Sequence, residues 1–269
     1  MHEYMGANRR HWDEVVPLHA ASEFYDVANF RAGASTLKTI ELQELGDVSG
    51  KTLLHVQCHF GMDTLSWARQ GAIVTGADFS KQALATAAQL AVEADLDARW
   101  VQSNVYDLPN NLDGQFDIVF TSYGVLSWMP DIGAWARSVA HFVRPGGTFY
   151  IAEFHPVSMI FDDSDGADDL IVRYPYFPTA EPLKWDGDGT YAVGNANLEH
   201  RDTYNWPYTL GNVVTSLIEA GLRIDFLHEF PFSTYQFLPI THVAHDGSVR
   251  LTQHDGSVPL VFSIKATRP

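Results

Sequence analysis

The sequence lacks several features that would each have pointed to a class of protein. It has a single cysteine, Cys58, so a disulfide framework and a cysteine-based zinc site are both excluded within the chain. Lys and Arg number 17 against 33 Asp and Glu, which gives a formal charge of −16. Nucleic acids and anionic membrane surfaces bind basic faces, so we expect neither as a partner.

Long apolar runs are also missing. No stretch approaches the roughly 18 consecutive apolar residues of a spanning helix, and residues 1–16 contain no apolar signal core. We therefore predict a cytoplasmic protein, either a monomer or a homodimer. Acidity by itself says little about small-molecule substrates, and the expectation of a small-molecule partner rests instead on the sequence motifs. The apolar fraction of 46% is that of an ordinary globular chain, so composition alone does not identify an activity.

What the sequence does contain is an alternation of strands and helices. Residues 8–46 look helical, with a break at Pro17, an N-cap at Ser35 and a C-terminal Gly46. From Lys51 onward, five apolar strand segments alternate with helices, two of which are predicted to begin after Ser80 and Asp131. This rhythm predicts an α/β fold, namely a Rossmann-like, mostly parallel sheet with helices on both faces.

The rhythm is interrupted after the fifth strand. Residues 156–206 are rich in Asp, Gly, Pro and aromatics without a clear helix, which is typical of a functional lid, although a solvated surface insertion remains the alternative. A helix ending at Gly221 and two further strands complete the chain. Between those strands HDGSV occurs twice, and Asp-Gly favours turns over a metal site built from His242, His245 and His254.

The loop after the first strand raises the functional question. Residues 53–80 read LLHVQCHFGMDTLSWARQGAIVTGADFS, the start of a nucleotide-binding βαβ unit. A dinucleotide site needs glycines so that the backbone can approach a pyrophosphate, yet this loop has only Gly61, with Gln57 and His59 before it. Asp78 ends the second strand, where an acid accepts hydrogen bonds from ribose hydroxyls. The loop therefore favours a nucleoside ligand without phosphates.

Five segments in order now resemble a known family. Between Lys51 and Glu153 the chain resembles class I S-adenosylmethionine-dependent methyltransferases, through the segments LLHVQCHFG, GADFS, SNVYDLP, FDIVFTSYGVLSWMPD and RPGGTFYIAEFHP. The resemblance implies a seven-stranded sheet whose last strand is antiparallel, and S-adenosylmethionine as the cofactor with S-adenosylhomocysteine as its product. The family's first motif has an acid and three glycines at alternate positions. Here those positions hold His55, Gln57, His59 and Gly61, as in a subset whose loop reads QCHxGxDT.

The resemblance also implies roles for individual residues. Asn104 and Val105 would frame the adenine, although Asn104 could equally be a turn residue. The full set of predicted cofactor-binding residues is Gln57, His59, Gly61, Thr64, Asp78, Phe79, Ser80, Asn104, Val105, Tyr106 and Tyr123. The predicted substrate-binding residues are Tyr25, Trp128, His155 and Trp206. No metal site is predicted.

Methyl transfer from a sulfonium needs mainly alignment, and a base near neutrality helps when the acceptor is a hydroxyl or a protonated amine. His155, just past the fifth strand, is the predicted catalytic base, with a structural loop histidine as the alternative. We predict a single methyltransferase-like domain over residues 1–269. It divides into a helical cap (1–50), a cofactor-binding core (51–155), a substrate lid (156–206) and a C-terminal helix with strands (207–269).

Other functions stay open from the sequence. A domain of this kind can bind S-adenosylmethionine or S-adenosylhomocysteine without catalysis, or can use the donor in another reaction. A less favoured alternative is an NAD(P)-dependent oxidoreductase, because the loop lacks the glycines of a dinucleotide site and no hydride-transfer constellation is evident.

Overall fold

Seven strands form one sheet in the computed structural model, which describes residues 2–269. Along the sheet the strand order is β3-β2-β1-β4-β5-β11-β8. The strands, including four that form two small hairpins, are β1 Thr52–Val56, β2 Ile73–Asp78, β3 Ala98–Gln102, β4 Phe116–Ser122, β5 Val143–Phe154, β6 Leu183–Trp185, β7 Thr203–Asn205, β8 Arg223–Phe230, β9 Thr241–Val243, β10 Val249–Leu251 and β11 Val261–Thr267.

Helices cover both faces of this sheet, and none of those described is long and apolar enough to cross a membrane. They are α1 His2–Ala20, α2 Val27–Arg31, α3 Thr39–Leu45, α4 Met62–Arg69, α5 Lys81–Glu93, α6 Leu108–Asn111, α7 Ile132–Phe142 and α8 Leu210–Glu219, with short 3₁₀ turns at Leu126–Trp128 and Ser158–Ile160.

The direction of the strands confirms the predicted Rossmann-like fold. Strands β1 to β5 pair in parallel, whereas β11 is antiparallel to both β5 and β8. From β1 the chain adds β2 and β3 on one side of the sheet and then returns to add β4 and β5 on the other side. The sheet therefore has its topological switch point between β1 and β4. Ligands in open α/β sheets bind at the carboxyl ends of the strands beside such a point.

Alternating residues of the central strands build the core on the two faces. Leu54 and Val119 face a cluster with α7 and α8, whereas Leu53 and Phe120 face a second cluster that includes Trp67 of α4. This is the period-2 pattern of a strand buried on both sides, and it explains why β1 and β4 read as nearly continuous apolar runs. The core therefore fixes the strand ends that carry the candidate site.

Several predicted boundaries are confirmed and two are wrong. Ser80 and Asp131 cap α5 and α7 through bonds from Ala83 N–H and Ala134 N–H. Pro17 does not break α1, because it lies in the last turn, where it removes one backbone donor and the helix ends soon afterwards.

The predicted N-cap at Ser35 is also wrong. Helix α3 begins after Lys38, whose backbone N–H donates to Glu41 Oε1 at 2.6 Å. Gly46 does end α3, with φ 65°. Both HDGSV copies form turns, and the first of them joins β9 to β10.

Candidate active site

A cavity of about 700 Å³ opens at the carboxyl ends of β1, β2 and β4, within the roughly 300–1,000 Å³ range of small-molecule sites. Its far side is formed by parts of α1, residues 156–208 and residues 235–238. Eleven of the predicted site residues line it, namely Tyr25, Gln57, His59, Gly61, Asp78, Phe79, Asn104, Val105, Tyr123, Trp128 and Trp206. The structure thus brings together residues that are far apart in sequence.

The loop after β1 keeps a left-handed backbone at three alternate positions. Gln57, His59 and Gly61 have φ angles of 61°, 51° and 80°. Non-glycine residues adopt this region only at a cost of roughly 1–2 kcal/mol each, and such strain persists only where surrounding contacts over-determine it. The loop therefore has the backbone conformation that glycines would adopt most easily, although two side chains are present.

Those two side chains have specific partners. The Gln57 amide accepts from Trp135 Nε1 at 3.0 Å and donates to the Val125 carbonyl at 3.2 Å, which ties the loop to α7 and to the segment after β4. The His59 ring stacks on Tyr25 with centroids 5.6 Å apart. Burial lowers the pKa of His59 well below its usual value, so its ring is neutral at pH 7. The His59 Nε2 has no hydrogen-bond partner among the described residues.

His55, at the position of the family's acid, is a buried neutral residue that also lines the cavity. Its Nδ1 lies 2.8 Å from Thr64 Oγ1, and burial lowers its pKa to about 4. A carboxyl group does approach the loop from another position, since Asp63, in the first turn of α4, lines the cavity. Its oxygens accept from Thr36 Oγ1 at 2.5 Å and Ser122 Oγ at 3.1 Å.

Asp78 is held at the tip of β2 by two backbone donors. His59 N–H donates to Oδ2 at 2.9 Å and Ser80 N–H donates to Oδ1 at 2.8 Å. Because each carboxylate oxygen has two acceptor sites, one on each remains for hydroxyl groups of a ligand. Burial, with the nearby Asp13 carboxylate adding to it, raises the pKa of Asp78 to about 7 despite these donors.

The loop after β3 contributes an amide side chain. Asn104 Oδ1 accepts from Tyr106 N–H at 3.0 Å, an Asx-type turn that fixes the side chain beside Val105. The turn interpretation of Asn104 is thus correct, but it does not exclude a binding role, because Asn104 also lines the cavity. Its side-chain amide hydrogens and the second lone pair of Oδ1 can still contact a ligand.

Four predicted site residues are engaged in other contacts. Ser80 caps α5 and donates to Asp13, and Thr64 pairs with His55. The Tyr106 hydroxyl bonds to the backbone of Asp131. His155 is 3% exposed, its Nδ1 accepts from Val157 N–H, and its Nε2 lies 2.9 Å from Glu229 Oε1. The roles of these four residues in binding or catalysis stay predictions.

Two buried carboxyl groups that the sequence analysis did not single out organise the site. Glu153 accepts backbone hydrogen bonds from Gly124, Val125 and Leu126, and so fixes the segment after β4. Glu41 accepts from the Tyr123 hydroxyl at 3.0 Å, and burial raises its pKa to about 7. In the sequence, each is an acid inside an apolar segment, TFYIAEF or TIELQEL, and that is the signal that could have identified them.

Helix α1 and the insertion close the cavity together. Asn8 makes two 2.8 Å bonds to the backbone of Tyr204, and Glu14 accepts from the N–H groups of Glu199 and His200. Further along α1, His19 Nε2 lies 2.9 Å from Thr190 Oγ1. We call α1 together with residues 190–206 the cover of the cavity.

Comparisons with known proteins agree on the core. The model of the methyltransferase domain family matches residues 54–149. A ubiquinone biosynthesis O-methyltransferase from Aeromonas salmonicida is 34% identical over 107 residues, which is 40% of this chain and 44% of that protein. A protein of the same name from Alkalilimnicola ehrlichii is 35% identical over 121 residues, 44% of this chain and 49% of that one. The matches thus span less than half the length of these relatives.

Solved structures extend the likeness to most of the chain, at the level of the fold. An S-adenosylmethionine-dependent methyltransferase from Mesorhizobium loti is 20% identical, with 88% of this chain and 100% of that chain covered and a TM-score of 0.57. The magnesium protoporphyrin IX methyltransferase of Synechocystis, solved with S-adenosylhomocysteine, is 13% identical, covers 96% of this chain and 100% of its own, and has a TM-score of 0.52.

Proposed function

We propose that the protein transfers a methyl group from S-adenosylmethionine to a small-molecule acceptor, because residues 54–149 match the methyltransferase domain family and the chain shares the fold of a solved S-adenosylmethionine-dependent methyltransferase. The observation that carries the proposal is the loop after β1. The three left-handed residues of this loop line the same cavity as Asp78. Such a loop accommodates a nucleoside with an amino-acid tail but would crowd a pyrophosphate through Gln57 and His59.

The residues of the cavity fit this donor. Asp78 has one free acceptor site on each oxygen for the two ribose hydroxyls, and Asn104 with Val105 can frame the base. Asp63 is placed at the loop for an ammonium group, where the family's acid is replaced by His55. The unpartnered Nε2 of the neutral His59 can accept or donate one hydrogen bond.

Bound S-adenosylmethionine supplies a methyl group on a positively charged sulfur, which is a good leaving group. The residues of the chain hold donor and acceptor in line and exclude water. Effective molarities indicate that such alignment lowers the activation free energy by several kcal/mol. The cover of the cavity, α1 with residues 190–206, suits this task because both segments lie over the strand ends.

A proton acceptor is needed when the acceptor atom carries a hydrogen. His155 is the base predicted from the sequence. The second candidate is Glu41, because the Tyr123 hydroxyl lines the cavity and would accept the proton while passing its own to the Glu41 carboxylate. Variants distinguish them. If kcat falls in Glu41→Gln but not in His155→Asn, with donor affinity unchanged in both variants, the Tyr123–Glu41 pair is supported. If kcat falls in His155→Asn but not in Glu41→Gln, His155 is supported. The division into cap, core and lid, the cytoplasmic location and the oligomeric state stay predictions.

Calorimetric titration with S-adenosylmethionine, S-adenosylhomocysteine and NADH tests the proposal. We expect both sulfur ligands to bind in the micromolar range and NADH not to bind. Binding of NADH alone would favour the oxidoreductase, and binding of neither sulfur ligand would contradict the proposal. Donor binding without any release of S-adenosylhomocysteine in the presence of candidate acceptors would favour a non-catalytic binding domain.

A further inference from the structure

The part of the cavity that faces the insertion is walled by aromatic side chains. They come from the segment after β4, from the end of β5 and from residues after β5 and after β8, whereas the donor contacts proposed above come from the loops after β1, β2 and β3. We call this surface the aromatic wall, and it consists of Trp128, Phe154, Phe161, Tyr174, Tyr176, Trp185, Trp206, Tyr208 and Phe237. A wall of this composition binds flat apolar groups. It has more aromatic side chains than are needed to hold the adenine of the donor.

The rings of the aromatic wall are held by one another. Phe154 and Phe237 pack with centroids 4.6 Å apart, and Tyr174 and Trp185 with centroids 5.1 Å apart. The Tyr174 hydroxyl also donates to Asp163 at 2.7 Å. Because these contacts fix the rings before a ligand arrives, little side-chain entropy is lost when a flat ligand binds against them.

The charges around the cavity oppose an anionic acceptor. Three carboxyl groups line the described part of it, on Asp63, Asp78 and Asp163, against one amine, on Lys38. The Lys38 Nζ already lies 4.5 Å from the centroid of the Tyr235 ring. Beside S-adenosylhomocysteine, whose sulfur is neutral, a carboxylate or phosphate that entered would leave water with Lys38 as the one cationic side chain among the described lining residues, which is unfavourable in a mostly apolar site.

We infer that the acceptor is an aromatic compound without a negative charge, which stacks on the aromatic wall. This inference rests on the proposed function, since it assigns the space that the donor does not occupy. It narrows the acceptor from any small molecule to neutral or cationic aromatics. Sugars, aliphatic alcohols and carboxylic or phosphorylated compounds are excluded as preferred acceptors.

Binding of four probes tests the inference directly, because catechol matches cyclohexane-1,2-diol in size and dopamine matches 3,4-dihydroxybenzoate. Each is titrated into the full-length protein saturated with S-adenosylhomocysteine, so that no turnover occurs and the donor part stays filled. Catechol is neutral and aromatic, dopamine is cationic, 3,4-dihydroxybenzoate is anionic, and cyclohexane-1,2-diol is neutral but not aromatic. We expect catechol and dopamine to bind at least about tenfold more tightly than the other two, the effect of one unpaired charge or one lost stacking contact of about 1.4 kcal/mol.

The inference is overturned if the benzoate binds as well as catechol, or if the cyclohexanediol does. It is also overturned if none of the four binds while S-adenosylhomocysteine binds, a result that leaves the proposed function intact. Failure of S-adenosylhomocysteine itself to bind would instead count against the proposed function. If the benzoate binds and Lys38→Met abolishes that binding, the Lys38 amine pairs with the anion, and the exclusion of anionic acceptors is wrong.

Adjacent residues of the insertion provide a matched pair of variants. Tyr176 lines the cavity, whereas Phe177 is 72% exposed outside the described lining. We expect Tyr176→Leu to weaken catechol binding several-fold. Phe177→Leu removes only the edge contact between the two rings, whose centroids lie 5.2 Å apart, and should weaken it much less, with the affinity for S-adenosylhomocysteine unchanged in both. Equal effects of the two substitutions would show that the wall does not contact the probe.

Discussion

At the scale of single residues, the site shows what a sequence can and cannot disclose. The position of Asp78 at the end of an apolar strand identified it, because strand ends meet at one edge of a parallel sheet. The partners of Gln57 could not be predicted, since Trp135 and Val125 follow it by 78 and 68 residues. Glu41 and Glu153 were missed for the same reason, because their donors come from other elements.

The ionisation of Asp78 predicts how donor affinity depends on pH. Burial raises its pKa to about 7, and a carboxylate that accepts two ribose hydroxyls binds better ionised than protonated. Affinity should therefore rise with pH, by about tenfold between pH 6 and pH 8, as the ionised fraction does. Calorimetry with S-adenosylhomocysteine at several pH values measures this. In Asp78→Asn the affinity should be weaker and lose this slope, and a slope that persists there would assign the titration to another group.

The strained Gln57 offers a second prediction at this scale. Gln57→Gly relieves the left-handed backbone, worth about 1 kcal/mol, but removes the partner of the Trp135 indole N–H, whose loss costs about 1–3 kcal/mol. Since Trp135 is 0% exposed, we expect a net destabilisation of about 1 kcal/mol in urea unfolding.

A double-mutant cycle separates the two effects of this substitution. In a Trp135→Phe background no indole N–H is left unpaired, so Gln57→Gly should be neutral or stabilising there. Equal destabilisation in both backgrounds would show that the Trp135 bond is not what the glutamine provides.

At the scale of elements, the sequence was most informative where an apolar pattern is long. Strands β1 to β5 occur in the predicted order and helices α5 and α7 begin after the predicted caps Ser80 and Asp131, because the burial of alternate residues and the caps agree locally. Strand β5 is longer than predicted, since it begins at Val143 and includes the predicted turn RPGG. The N-terminal helices were less predictable. Residues 34–38 stay non-helical although Ser35 could cap a helix, because Thr36 instead bonds to Asp63 and Ser66 of α4.

The segment after β4 depends on Glu153, which yields a prediction at this scale. Its carboxylate is 1% exposed and accepts Val125 N–H at 2.7 Å and Leu126 N–H at 3.1 Å. In Glu153→Gln one acceptor oxygen becomes an NH₂ group that faces backbone donors. We expect a loss of about 2–3 kcal/mol in unfolding free energy, together with faster hydrogen exchange in residues 124–126.

Glu229→Gln is the control for this substitution. Glu229 lies on β8 and is half-exposed where it meets His155, so the same change of charge should alter stability by less than about 1 kcal/mol. Comparable losses in the two variants would mean that charge, rather than the backbone donors of residues 124–126, accounts for the effect.

At the scale of the whole molecule, the sheet confirms the fold predicted from the sequence, whereas the contacts of residues 156–206 could be seen only in the structure. The seven-stranded sheet and its antiparallel β11 follow from the resemblance, but nothing in residues 156–206 indicated that they bond to α1. Those contacts join residues more than 180 positions apart and use single side chains such as Asn8 and Glu14. A pattern of local periodicity does not contain such information.

The two bonds of Asn8 to Tyr204 give the prediction at this scale. Asn8→Ala should release the insertion without unfolding the sheet, because it removes two hydrogen bonds worth about 1 kcal/mol each from one edge of the molecule. We expect faster hydrogen exchange in residues 199–205 and faster release of bound S-adenosylhomocysteine. Arg9→Ala, at an exposed neighbouring position of α1, should change neither rate. Unchanged hydrogen exchange in Asn8→Ala would show that the bonds of Asn8 to Tyr204 do not hold residues 199–205 against α1.

The bonding of α1 to residues 190–206 also sets an order of events during synthesis. The contacts between α1 and residues 190–206 can form only after another 170 or more residues have followed α1 in the chain. Contacts between such distant segments form late, since chain closure must precede them. We expect pulsed hydrogen exchange during refolding to protect β1 and β4 before residues 199–205, so that the nascent protein holds its strands in place well before its cavity can be covered.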